Sequence, residues 1–227
     1  IMIDNRYTKM QKSQYKDGTS NHEEHNKNPD YWDILLGELK DNKKWQNKNA
    51  LDFACGKGRN VTNLFNICDW DSVDGVDISS GNIDFCNTSY KNQNSSWCVN
   101  NGIDISDLKS NHYDFVMSTI ALQHIPVYDI RKSLITDILR VLKPKGIFSF
   151  QMAYGKSIEK NKIISSYFSN EWDAVGTNSV HDVRIQSEKQ VVDDLIQIGF
   201  SNIETYVRDS FSDSNHPKWI YVKCFKK

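Results

Sequence analysis

Residues 49–60 read Asn-Ala-Leu-Asp-Phe-Ala-Cys-Gly-Lys-Gly-Arg-Asn, and the fold prediction starts from this stretch. Residues 50–54 are apolar apart from Asp52 and predict a buried strand. A turn through Gly56 and Gly58 leads into a segment whose apolar residues recur at helical spacing. Glycines let the backbone approach a ligand closely, and a helix start presents unpaired N–H groups to polar or anionic ligand atoms. The stretch therefore predicts a cofactor-binding strand, turn and helix.

Two cofactor families use this geometry, and the residues around the glycines separate them. The dinucleotide fingerprint G-x-G-x-x-G/A needs a third small residue where Val61 stands here, and it gives Asp52 no role. Residues 52–58 instead resemble motif I of class I S-adenosylmethionine-dependent methyltransferases, D/E-x-G-x-G-x-G, with Ala54 in place of the first glycine. A nicotinamide-dependent oxidoreductase and an ordinary β-turn-α unit of another α/β protein remain as alternatives.

Composition indicates a soluble globular chain without a nucleic-acid or membrane partner. The 227 residues suffice for one large or two small domains, and a formal net charge of −1 gives no field that attracts nucleic acid or anionic lipid. No apolar run approaches the roughly 18 residues of a membrane span. The five cysteines form no C-x-x-C pair, so neither a zinc site nor a disulfide framework is indicated. We expect a reduced, cytoplasmic protein.

A second motif surrounds Asp77, the last residue of the predicted strand 72–77. An acid at the carboxyl end of this strand can accept hydrogen bonds from ribose hydroxyls. Gly75-Val-Asp77-Ile78 resembles methyltransferase motif II, which implies that Ile78 packs on the adenine ring. Alternatively, Asp77 only caps the next helix, a role that Ser79 could fill by itself.

Two further segments extend the resemblance. Asp104 and Ile105 follow a short third strand, where the family places an acid at the adenine amino group and an apolar residue against the ring. A fourth strand, residues 113–118, precedes Thr119, which we assign to the cofactor site, and Leu-Gln-His-Ile at 122–125. This pattern resembles motif IV of the type 11 small-molecule enzymes. It does not resemble the N/D-P-P-Y/F motif of amino-directed DNA methyltransferases.

The order of the segments predicts the fold class. Strands alternate with amphipathic helices up to a fifth strand at 146–152, and two alternating strands, 202–207 and 219–225, end the chain. We therefore predict a doubly wound, Rossmann-like α/β fold. Its seven-stranded sheet is mostly parallel with a C-terminal antiparallel hairpin, and helices cover both faces.

The domain organisation follows from where this alternation stops. Residues 29–227 are predicted to be one domain, with a substrate-facing insertion at about 154–186 that breaks the βα pattern. Residues 1–28 are polar, lack a hydrophobic period and are interpreted as an arm or lid outside the core. Within them, His22-Glu-Glu-His25 lacks the spacing of a helical metal site, so no metal ligand is assigned. The predicted substrate-binding residues are Tyr154, Trp172 and Arg184.

The resemblance implies transfer of a methyl group from S-adenosylmethionine to a small-molecule acceptor, most simply at oxygen or nitrogen. It assigns Gly56 and Gly58 to the methionine moiety of the cofactor and Asp52 to its ammonium group, directly or through water. If a general base is needed, His124 is the first candidate and His181 the second, because imidazole titrates near neutral pH. A non-catalytic S-adenosylmethionine-binding subunit or sensor is the alternative, and the oligomeric state stays open.

Overall fold

The computed structural model describes residues 5–18, 29–37, 43–155, 163–172, 181–210 and 216–227. Their helices are α1 (Asn5–Gln14), α2 (Pro29–Leu36), α3 (Arg59–Ile67), α4 (Ser80–Ser89), α5 (Tyr128–Val141) and α6 (Glu188–Ile198). Their strands are β1 (Asn49–Phe53), β2 (Ser72–Asp77), β3 (Trp97–Val99), β4 (Tyr113–Thr119), β5 (Leu142–Tyr154), β6 (Ile163–Ser165), β7 (His181–Val183), β8 (Phe200–Asp209) and β9 (Lys218–Lys226). Short 3-10 helices span Lys43–Trp45 and Leu122–His124.

Seven strands form one sheet in the order β3-β2-β1-β4-β5-β9-β8. The first five strands pair in parallel, whereas β9 is antiparallel to both β5 and β8. The predicted fold class, a mostly parallel Rossmann-like sheet with a C-terminal antiparallel hairpin, is confirmed. Because β1, β2 and β4 run in the same direction, their carboxyl ends meet at one edge of the sheet, where ligands bind in this architecture.

Apolar side chains cover both faces of the sheet. On one face, α2 and α3 bury Leu35 and Leu64 in one hydrophobic cluster. On the other face, α5 and α6 bury Ile138 and Leu195 in a second cluster. All residues of β1 except the first are buried, as expected for a central parallel strand covered by helices on both sides. The glycine turn that follows β1 is therefore held on a rigid support.

The N-terminal segment differs from the sequence interpretation. Residues 5–14 form α1, and Tyr7, only 1% exposed, belongs to the hydrophobic core beside α5. Its ring packs edge-on against Trp172, with 5.2 Å between the ring centroids. Tyr7 is buried together with the polar residues Thr8 and Gln11, so the buried side of α1 leaves no hydrophobic period in the sequence. The cluster from His22 to His25 lies outside the described residues.

Two details of the strands also differ. β5 begins at Leu142, four residues before the predicted start, because Leu142 already pairs with Tyr113 ahead of a register shift in β4. Strands β6 and β7 form a separate parallel pair within the predicted insertion, and three-residue strands leave little pattern in a sequence. Within the described ranges, no helix combines the length and the apolar character that crossing a membrane would require.

Candidate functional site

The glycine turn after β1 has an unusual backbone. Ala54, Gly56 and Gly58 all have positive φ angles, of 60°, 53° and 79°. A Cβ atom at position 58 would lie 2.7 Å from the Tyr90 ring and 2.9 Å from the Trp97 ring. Glycine is therefore required at this position by packing as well as by conformation. Ala54 is a non-glycine residue in the left-handed region, at the position where motif I usually carries glycine.

Asp77 joins the glycine turn to the end of β2. Its Oδ2 atom accepts a hydrogen bond of 2.8 Å from the Gly56 amide, and its Oδ1 atom accepts from the Ser79 amide at 2.8 Å and from Asn82 Nδ2 at 3.3 Å. Ser79 itself caps α4 by accepting from the Asn82 amide. Burial raises the pKa of Asp77, and its hydrogen bonds oppose that shift. Oδ2 accepts one of these hydrogen bonds, so it keeps room for a further donor, such as a ribose hydroxyl.

A polar network lies beneath the turn. Asn60 Nδ2 donates to Thr119 Oγ1 at 2.9 Å and approaches Asp52 Oδ1 at 3.5 Å. Arg59 Nη2 lies 3.4 Å from Thr119 Oγ1 and 3.5 Å from the Tyr31 hydroxyl. Asp52 is fully buried, and burial raises its pKa to about 7 against the lowering effect of Arg59. The network brings a guanidinium, a hydroxyl and an amide to the carboxyl ends of β1 and β4.

A cavity of about 1050 Å³, including its open mouth, lies above this edge of the sheet. Five of the predicted cofactor residues line it, namely Ala54, Gly56, Asp77, Ile78 and Thr119. The other lining residues are Gln11, Tyr15, Phe53, Cys55, Lys57, Arg59, Asn60, Asn100, Gly102, Ile120, Ala121, His124, Ile125 and Leu134.

The remaining predicted cofactor residues do not reach the cavity wall. Asp52 lies behind Asn60, and Gly58 is covered by Tyr90 and Trp97. Neither position is in the lining, so both support the wall from behind.

Asp104 and Ile105 were expected at the adenine ring, and the structure does not bring them there. Asp104 Oδ1 accepts from Asn101 Nδ2 and from Ser106 Oγ, and the Ser106 hydrogen bond is the main cause that lowers its pKa. Ile105 is buried in the hydrophobic core. The carboxylate is therefore used in a local turn, as acids after strands commonly are.

Asn100 and Gly102 occupy the cavity wall in their place. The Gly102 amide donates to Asn100 Oδ1 at 2.8 Å, which closes a tight turn after β3. A Cβ atom at position 102 would lie 2.8 Å from Ile78 Cδ1, so glycine lets this turn contact the Ile78 side chain directly.

His124 also lines the cavity, and its imidazole has a buried partner. Its Nδ1 atom is 2.7 Å from Asp182 Oδ1, and the carboxylate is completely buried. The backbone carbonyl of His124 accepts hydrogen bonds from the Tyr7 hydroxyl at 3.0 Å and from Gln11 Nε2 at 2.7 Å. The second carboxylate oxygen, Oδ2, is 3.5 Å from His216 Nε2. Segments distant in sequence therefore hold His124.

The other predicted site residues take different positions. His181 begins β7, and its side chain lies outside the described part of the structure. Tyr154 ends β5, and Trp172 packs against Tyr7 rather than lining the cavity. The Arg184 side chain is completely buried and therefore cannot contact a ligand in the cavity.

Sequence reasoning missed several residues of the site. Arg59 and Asn60 were quoted in the opening stretch without a role, although polar side chains at a helix start beside a glycine turn are a usable signal. Gln11 lies in a polar segment with no pattern to distinguish it. Asp182 was assigned no role, since its pairing with His124 joins residues 58 positions apart.

Comparison with known proteins finds a family match and structural neighbours. Residues 51–150 match the family described as “Methyltransferase domain”, type 11. No curated protein sequence matches the chain. Among solved structures, an S-adenosylmethionine-dependent methyltransferase from Methanosarcina mazei has a TM-score of 0.61 at 18% identity, over 80% of this chain and 93% of its own.

Two other solved structures show how varied the neighbours are. Phosphoethanolamine N-methyltransferase 2 from Haemonchus contortus, in complex with phosphomonomethylethanolamine and S-adenosylhomocysteine, has a TM-score of 0.57 at 16% identity, over 81% of this chain and 51% of its own. A Haloferax volcanii methyltransferase in complex with the activator Trm112 has a TM-score of 0.61 at 13% identity, over 91% and 95% of the two chains. At these identities the likeness shows the shared fold. Together with the family match over residues 51–150, it supports a class I S-adenosylmethionine-dependent methyltransferase of type 11.

Proposed function

We propose that the chain transfers the methyl group of S-adenosylmethionine to a hydroxyl or amine group of a small molecule, with His124 as general base. The observation that carries the proposal is one shared cavity. Gly56 and Asp77 lie in its wall with His124, whose Nδ1 is paired with the buried Asp182 carboxylate. An imidazole paired in this way is suited to accept a proton from an acceptor.

The residues of the cavity fit the proposed cofactor. Asp77 offers acceptor positions for ribose hydroxyls, and Ile78 and Asn100 provide an apolar surface and an amide for the adenine. At the other end, Arg59 and Asn60 offer donors to a carboxylate. Asp52 Oδ2 has no hydrogen-bond partner among the described residues, and the carboxylate lies behind Asn60. It can therefore stabilise an ammonium group through a bridging water or over a short distance.

When bound, S-adenosylmethionine would supply an activated methyl group on its sulfonium sulfur, with the sulfur as the leaving group. The protein then mainly aligns the acceptor, excludes water and removes one proton. His124 Nε2 takes that proton from the hydroxyl or ammonium of the acceptor and later releases it to solvent. Tyr7 and Gln11 fix the backbone of His124 and so the position of this nitrogen.

The proposed acceptor is a small molecule, as in the neighbour whose structure contains phosphomonomethylethanolamine. Methylation of a hydroxyl or an amine releases one proton, which His124 would accept, whereas a thioether or a carboxylate acceptor would need no base at neutral pH. We further infer a cytoplasmic location, since all five cysteines are free thiols, as is usual in a reducing compartment.

Two measurements test the function. Calorimetric titration with S-adenosylmethionine, S-adenosylhomocysteine and NAD should show binding of the first two only. A metabolite extract incubated with methyl-labelled S-adenosylmethionine should then yield a labelled product that depends on the protein. Binding without a labelled product from any extract would favour a non-catalytic binding subunit over the enzyme proposed here.

The base is tested with the acceptor found by that screen. His124→Asn should lose roughly a hundredfold or more in turnover while binding the cofactor normally. His181→Asn, the second candidate from the sequence, is the matched variant. Wild-type turnover in both variants would show that alignment alone carries the reaction, and a loss confined to His181→Asn would move the base to that residue.

A further inference from the structure

The pair of His124 and Asp182 resembles the orienting pair of hydrolytic triads in its geometry, although no nucleophile of that kind is involved. The Nδ1–Oδ1 distance of 2.7 Å is that of a strong, charge-assisted hydrogen bond. Asp182 is completely buried, whereas His124 is 29% exposed towards the cavity. A buried carboxylate is a pure acceptor when ionised, so the ring nitrogen facing it must carry a proton.

We propose that Asp182 is a positioning residue that holds neutral His124 in the Nδ1–H tautomer, with the lone pair of Nε2 directed to the cavity. This inference rests on the proposed role of His124 as base. A base must present an unprotonated nitrogen to the acceptor, and the tautomer of a neutral imidazole decides which nitrogen that is. With the proton on Nδ1, the nitrogen at the far side of the ring is the one that can accept.

His216 completes the arrangement at the other carboxylate oxygen. Its Nε2 atom lies 3.5 Å from Asp182 Oδ2, and its side chain is buried next to Trp219. A polar contact at this distance limits rotation of the carboxylate about its bond to Cβ. Oδ1 therefore stays directed at His124, and Asp182 is shared between two histidines in different roles.

The position of Asp182 in the fold has a further consequence for the orientation of His124. Asp182 lies in β7, which pairs with β6 in a two-stranded sheet separate from the main sheet. His124 belongs to the short 3-10 helix that follows β4, and the two elements contact each other. The orientation of the base thus depends on correct docking of the segment after β5, which was predicted to face the substrate.

The tautomer can be measured without knowing the acceptor. We would label all six histidines of the full chain with ¹⁵N and record two-bond ¹H–¹⁵N correlations at pH 8, assigning His124 by its loss in His124→Gln. The wild-type spectrum should show the Nδ1–H tautomer. Asp182→Asn should shift His124 to the Nε2–H tautomer, as the same exchange does in a catalytic triad, because the amide can donate to Nδ1. His216→Gln, the matched control, should leave the tautomer unchanged.

The acceptor, once known, adds a kinetic readout that packing alone would not produce. Asp182→Asn should lower kcat by roughly a hundredfold and leave the KM for S-adenosylmethionine within about twofold of wild type. An Nε2–H tautomer in wild type, or an Nδ1–H tautomer retained in Asp182→Asn, would overturn the inference. The wild-type spectrum decides the question even if the variant does not fold. Absence of S-adenosylhomocysteine binding in wild type would instead overturn the proposed function and leave the tautomer result standing.

Discussion

The Gly56 amide and the Asp77 carboxylate are joined by a hydrogen bond of 2.8 Å, so the glycine turn and the end of β2 form one unit. Removing the carboxylate should therefore affect the turn as well as the ribose contact. The cost of losing a charge-assisted hydrogen bond is about 1.5–3 kcal/mol. The effect of removing the Asp77 carboxylate on cofactor affinity therefore includes the loss of its hydrogen bond to the Gly56 amide.

We predict that Asp77→Ala weakens binding of S-adenosylmethionine and S-adenosylhomocysteine about ten- to a hundredfold, measured by calorimetry. Asp74→Ala is the matched control. Asp74 is buried on the same strand, but its carboxylate accepts from the Ser96 amide and the Tyr113 hydroxyl, away from the cavity. The control should lose stability and keep its affinity. Equal affinities for wild type and Asp77→Ala would remove Asp77 from the site.

The second prediction concerns α1, which provides Gln11 to the cavity wall and holds the His124 carbonyl. Adding S-adenosylhomocysteine should slow amide hydrogen exchange between Tyr7 and Tyr15, because a ligand in the cavity would contact Gln11 and Tyr15 in its wall. Amides of α6, which does not line the cavity, serve as the internal reference. Unchanged exchange in α1 at saturating ligand would show that the segment does not close over the cofactor.

The third prediction separates packing from backbone conformation in the glycine turn. Gly58→Ala should destabilise the protein by roughly 1–3 kcal/mol more than Gly37→Ala in urea unfolding, because its Cβ must displace Trp97 and Tyr90. Gly37 also has a positive φ angle, but a Cβ there would meet only Lys223 Nζ, at 3.8 Å. Equal losses of stability in the two variants would show that the aromatic rings move aside. Backbone strain alone would then account for the need for glycine at position 58.

The fourth prediction is a dependence of stability on pH. The pKa of Asp52 is about 7 in the folded protein, above the roughly 3.9 of an unfolded chain, chiefly because the side chain is buried. Its stabilising contribution is complete below the unfolded pKa and is lost as the pH rises through 7. Between pH 5 and 8, the cofactor-free wild type should lose roughly 2–3 kcal/mol more unfolding free energy than Asp52→Asn. Parallel pH profiles for the two proteins would contradict a raised pKa.

The structural features that could be predicted from the sequence are those that depend on residues close together in the chain. The run from β1 through the glycine turn into α3 is contiguous, so strand period, turn and helix could all be identified from neighbouring residues. Asp77 and Ser79 are also close together in the sequence. One short stretch therefore indicates both the helix cap at Ser79 and the cavity position of Asp77.

The parts that sequence missed depend on contacts between distant segments. Tyr7 meets the His124 carbonyl across 117 positions, and no local pattern marks either residue for that contact. Asp104 shows the reverse case, since an acid at the expected position is used by Asn101 and Ser106 in its own turn. A motif specifies where a residue stands in the chain, whereas the competition among nearby hydrogen-bond donors decides what its side chain does.

The contact that joins the N-terminal segment to α4 determines which substitutions the two partners tolerate. The Gly81 amide donates to the Lys16 carbonyl at 3.1 Å, and a Cβ atom at position 81 would lie 2.6 Å from that oxygen. The contact is between main-chain groups, which every residue type except proline provides as a donor and all provide as an acceptor. Natural variation at position 16 therefore leaves this contact intact, while a single added methyl group at position 81 removes it. We therefore expect docking of the N-terminal segment to depend on the glycine in α4 rather than on the side chain at position 16.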